Sequence, residues 1–84
     1  MSNTIKQELP KWFDGELYEE GATVRNRFSG EEYELNAMEL SMYDFVMGSV
    51  IMSEMGMTEV VPNLRKGLDW FRTNNAKANM VLLD

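Results

Sequence analysis

The sequence predicts an α+β fold: a short antiparallel β-hairpin or sheet, followed by two or three helices packed on one face. Three observations carry that expectation. Residues 22–35 alternate in polarity around Ser29-Gly30, the pattern of a hairpin. At Asn36 the hydrophobic period changes from two to about 3.6 residues, the pattern of a helix. After Gly56 a second helical stripe runs through Val61, Leu64, Leu68 and Phe71. With 84 residues the chain is one domain, near the size where covering a core becomes difficult. That domain is expected to span residues 10–84, behind a mobile polar arm, residues 1–9.

Within the domain, Pro10 stops any helix from entering. Trp12-Phe13 before Asp14-Gly15 reads as an aromatic anchor on one edge of the core. Glu16–Glu20 reads as a short strand ending at Gly21. A two-residue Ser29-Gly30 loop would set Arg27 opposite Glu32, Asn26 opposite Tyr33, Arg25 opposite Glu34 and Val24 opposite Leu35. Two arginine–glutamate pairs then share one face, and Val24, Tyr33 and Leu35 the other. A three-residue loop with a bulge would shift that register.

Asn36 is a good N-cap, and Glu39 three residues later completes a capping box. The first helix should run from Ala37 to about Met55, with Gly56 as its C-terminal stop. It holds most of the chain's eight methionines. At about 100° per residue, Met38, Met42, Phe45, Ser49 and Met52 share one face, while Leu40, Tyr43, Met47 and Val50 share nearly the opposite one. Thr58 reads as the next N-cap, for a helix from about Glu59 to Thr73 with Pro62 in its first turn. Asn74-Asn75 ends it. The tail from Ala76 reads as a short third helix capped by Asn75, or else as a strand.

Much chemistry is excluded. There is no cysteine and no histidine, which removes disulfides, thiolate catalysis, the usual neutral-pH base and the commonest metal ligand. No nucleophile elbow, phosphate loop or dinucleotide glycine motif is present. Glu19, Glu20, Glu31, Glu32 and Glu34 lack the alternating ligands and glycine of a calcium loop. The expectation is therefore no enzyme, no catalytic residue, no cofactor and no metal. The net charge of −6 lies wholly in residues 1–44, which disfavours nucleic acid. No apolar run approaches the roughly 20 residues that cross a bilayer, and residues 1–9 lack a signal-peptide core; the expected location is cytoplasmic.

What remains is a surface. A helix that is apolar nearly all round must be buried on more than one side, and a small domain has little to cover it with. Methionine fills irregular core gaps, but it is also over-used on adaptable binding surfaces. The face Leu40, Tyr43, Met47, Val50 and Ile51 is thus the candidate interface. A two-fold homodimer is the simplest occupant, with the identity of any other protein partner open. The alternative is a nucleic-acid contact through Arg65, Lys66, Arg72 and Lys77 beside Trp70, set against their reading as a solvated face.

The run Val24-Arg25-Asn26-Arg27-Phe28-Ser29-Gly30-Glu31-Glu32, with Leu35-Asn36, Glu39-Leu40 and Tyr43-Asp44, resembles small uncharacterised proteins of marine bacteriophages. Lys66-Gly67-Leu68-Asp69-Trp70-Phe71-Arg72 and Met80-Val81-Leu82-Leu83-Asp84 resemble the same group. The resemblance implies a viral gene expressed in the cytoplasm of an infected host, and it brings no activity or functional residue with it.

Overall fold

Both hydrophobic periods are realised. In the computed structural model, which describes residues 7–83, strands β1 (Ala22–Arg25) and β2 (Glu32–Leu35) form a two-stranded antiparallel sheet. Helices α1 (Ala37–Glu54), α2 (Val61–Asn74) and α3 (Ala76–Ala78) follow, which makes the fold α+β. A 3₁₀ turn (Thr58–Val60) leads into α2, and a π-helical turn (Asn79–Leu83) continues α3.

The hairpin forms around the expected residues but in a different register. Ala22 faces Leu35, Thr23 faces Glu34, Val24 faces Tyr33 and Arg25 faces Glu32. Asn26 is the cause. Its Oδ1 accepts from the N–H groups of Phe28 at 2.8 Å and Ser29 at 3.2 Å, an Asx turn that starts the reversal early. Gly30 completes it at φ +80°, and its N–H donates to Asn26 O at 2.8 Å. A slip of two residues keeps each side chain on its own face, so Val24, Tyr33 and Leu35 still point inward. The charge pairing changes. Arg25 meets Glu32 at 3.0 Å, Glu34 faces Thr23, and Arg27 leaves the ladder to lie over the Phe28 ring, 5.0 Å from its centroid.

Ahead of the hairpin, the expected strand at Glu16–Glu20 does not form. The Tyr18 N–H donates instead to Ser41 Oγ at 2.9 Å, so the segment lies along α1 rather than joining the sheet. Gly21 then crosses Leu35 and Asn36 so closely that a Cβ would collide with their backbone. Most of the expected mobile arm, residues 1–6, lies outside the described residues. Its last residues are fastened to the domain: Gln7 donates to Glu39 Oε2 at 2.8 Å, and Glu8 O accepts from Trp70 Nε1 at 2.9 Å.

The ends of α1 follow the sequence signals closely. Asn36 Oδ1 accepts from Glu39 N–H at 2.8 Å, and Glu39 Oε1 accepts from Asn36 N–H at 3.0 Å. At the other end, Met57 N–H reaches Met52 O and Gly56 N–H reaches Ser53 O, each at 3.0 Å. With Gly56 at φ +94°, this is a Schellman stop.

Leu35, Met42, Val46, Trp70, Phe71, Ala78 and Leu82 make the core. The buried line of α1 keeps Met42 and Ser49 of the first expected face and adds Val46 from beside it, while Met52 is exposed. Gly67 of α2 packs against this line. It brings α2 so near that an added Cβ would stand 2.5 Å from Val46 Cγ2. One flank of α1 is covered by the N-terminal aromatics, with Trp12 and Phe13 at 5.8 and 5.4 Å from Phe45.

Thr58 does not cap α2. It sits in the 3₁₀ turn, and α2 begins without a side-chain cap but with Pro62 in its first turn, where a residue lacking an N–H leaves no orphan donor. Asn75 ends α2 and starts α3, its Oδ1 accepting from Ala78 N–H at 3.1 Å. The tail is therefore helical, not extended.

A candidate interaction groove

The second flank of α1 remains open. Tyr43, Met47 and Val50, one turn apart, form one wall of a groove of about 320 Å³. Leu64 and Leu68 of α2 form the opposite wall, Leu83 closes one side, and the buried Val46 and Leu82 lie beneath. The hairpin tip overhangs the groove with Arg25, Asn26, Arg27 and Phe28, while Glu54 stands in the last turn of α1. Asn26 fixes this overhang, since its Nδ2 donates to Val81 O at 2.9 Å.

This surface is apolar with a polar rim. Burial pushes the Tyr43 phenol above its ordinary value, with the Arg27 guanidinium pulling in the opposite direction. Phe28 is 86% exposed. Ile51, Met52, Met55 and Met57 extend the exposed apolar area past the end of α1.

Of the five candidate interface residues, Tyr43, Met47 and Val50 are brought together in the groove. Leu40 and Ile51 are not among its lining residues. Helical rotation places them on a stripe beside it with Met47; Leu40 is half-buried and Ile51 exposed. Leu64, Leu68, Leu83 and Phe28 were not legible as site residues. The aliphatic ones read simply as core, and only Phe28, an apolar residue at a turn tip, carried a signal.

The four candidate nucleic-acid residues are all exposed. Arg65 and Arg72 share one stripe of α2 by their spacing, but Arg72 is paired with Asp69 at 3.0 Å. Lys66 lies over the Trp12 ring, 5.7 Å from its centroid, and Lys77 is on α3. Trp70 is core.

A second cluster of polar groups centres on the buried Glu39. Besides Asn36 and Gln7 it accepts from Asn75 Nδ2 at 2.8 Å, so one carboxylate joins the starts of α1 and α3 to the N-terminal segment. Its oxygens are occupied by structural donors. Among the described residues there is no group of three or more acidic side chains placed to hold a metal, and no helix long and apolar enough to cross a membrane. No family model, curated protein or solved structure matches the chain.

Proposed function

We propose that the protein is a non-catalytic interaction protein that acts as a homodimer through the α1 face carrying Leu40, Tyr43, Met47, Val50 and Ile51. One observation carries the reading: the domain covers one flank of α1 with its own aromatics and leaves the other as an apolar groove beside exposed Ile51 and Met55. Contiguous apolar surface of this kind marks interaction sites on soluble domains. The lack of histidine and cysteine, and the engagement of Glu39 in structural hydrogen bonds, support a role without catalysis. With the bacteriophage resemblance, the reading becomes that of an accessory factor in the host cytoplasm, binding a host or viral protein.

Light scattering on the purified chain tests the dimer. The expected result is twice the chain mass at micromolar concentration, with Met47→Asp giving a folded monomer by circular dichroism. A wild-type chain that stays monomeric at high micromolar concentration overturns the homodimer. Reproducible turnover in hydrolase, transferase or nuclease screens, lost on replacing one carboxylate, overturns the non-catalytic reading.

A further inference from the structure

Two features on one side of the molecule stand without a partner. The first is the hairpin tip, where Phe28 is, among the described residues, the most exposed large hydrophobic side chain, at 86%. The tip is held in shape by the Asn26 Oδ1 bonds to Phe28 and Ser29 and by the Asn26 Nδ2 bond to Val81 O. It is therefore ordered before it binds anything, which lowers the entropy lost on association. Arg27 lies against the Phe28 ring and has no carboxylate within 4.0 Å among the described residues.

The second is the groove. Its walls are apolar, and at the α1 end stands Glu54. The last turn of α1 contains no basic residue, so the glutamate adds to the partial negative charge of a helix C-terminus. Among the described residues Glu54 has no ion-pair partner. The chain thus carries a cationic aromatic knob and, beside it, an apolar hole with Glu54 in the last turn of α1.

We propose that the groove is occupied by the hairpin tip of a second copy of this chain, Phe28 entering between Tyr43, Met47, Leu64 and Leu68, and Arg27 pairing with Glu54. This rests on the homodimer reading above and specifies its interface. Because Phe28 stands at the rim of its own groove, a two-fold axis beside that rim lets each copy give its tip and receive the other's. Such a contact is closed and self-complementary. It places the acidic end of α1 against the cation it lacks, and covers the flank of α1 that the domain leaves open.

Arg27, Phe28 and Glu54 are all exposed, so R27E, F28A and E54R leave the fold intact, which circular dichroism checks. Sedimentation equilibrium on the full chain should show a wild-type dimer. Each variant alone should weaken it at least about tenfold, the scale of an interface hot spot. Equal amounts of R27E and E54R should then dimerise again as a mixed pair. In that pair both tip-to-groove contacts join opposite charges, whereas each variant alone sets like charges together.

A wild-type dimer indifferent to all three substitutions overturns the tip exchange and leaves the homodimer reading standing on another part of α1. Weakening by R27E and E54R without rescue on mixing overturns the pairing in the same way. A wild-type monomer over the whole range overturns both readings and assigns the groove to a partner of different sequence.

Discussion

At its N-terminal end α1 is held by a closed set of hydrogen bonds, whereas its C-terminal end is held by backbone alone. Asn36 and Glu39 cap each other, and Glu39 also gathers Gln7 and Asn75. Every one of those contacts has a direction, so the approach of the N-terminal segment and of α3 is specified by geometry as well as by burial. The C-terminal end has only its Schellman bonds and Gly56. Around it Ile51, Met52, Met55 and Met57 are exposed, and apolar contacts are non-directional. One helix therefore has an end that organises its own chain and an end that leaves apolar side chains exposed. In a domain this small, apolar side chains left outside are material that would otherwise enlarge the core.

The sharpest way to break that contrast is at Glu39. Glu39→Ala takes the acceptor from the part-buried donors of Gln7, Asn36 and Asn75 and should cost about 1–3 kcal/mol of stability. Met55→Ala, at a side chain 69% exposed, should stay within about 0.5 kcal/mol. Urea unfolding of the two variants measures both, and equal losses would dissolve the distinction between the ends. Gly56→Ala is intermediate: its φ of +94° strains any side chain, so a loss of about 1 kcal/mol is expected, with the helix fraying from Ser53 onward in hydrogen exchange.

The smallest effect concerns Tyr43 and sharpens the account of the groove. Its folded-state value is raised above the ordinary 10.0 because burial disfavours the phenolate. A raised value means that the neutral phenol contributes stability fully below pH 10.0, and that this is lost as pH rises through the folded value. Thermal melts from neutral to alkaline pH should show that loss, and Tyr43→Phe should reduce it. Because Tyr18 is shifted in the same direction, the variant removes part of the alkaline decline, not all of it.

How much of this was legible can be argued residue by residue. The capping box and the Gly56 stop were readable because each is a contact within a few positions of chain, where residue type and spacing nearly dictate geometry. The Asn75 cap was readable for the same reason. The hairpin register was missed although its determinant is also local. Asn26 competes with Ser29-Gly30 for the turn, and its Asx bonds win by satisfying two backbone donors. Thr58 failed as a cap because it lies inside the 3₁₀ turn, and Val60 takes the position before α2. The candidate site was half legible: Tyr43, Met47 and Val50 followed from helical spacing, but their partners across the groove did not.

By itself, then, the sequence determined the hairpin and the two long helices, though not the path of Glu16–Glu20 or the form of the tail, and showed that α1 has more apolar surface than a small domain hides. It also determined that histidine and cysteine chemistry is absent. Only the tertiary structure decided which way α1 is turned, because that depends on how close α2 can come, and Gly67 against Val46 sets that distance. The same packing decided which flank is closed by Trp12 and Phe13 and which is left as a groove. Local hydrogen bonds act over a few residues and are written in order along the chain. Close packing joins residues far apart in sequence, and its outcome exists only once the elements have met.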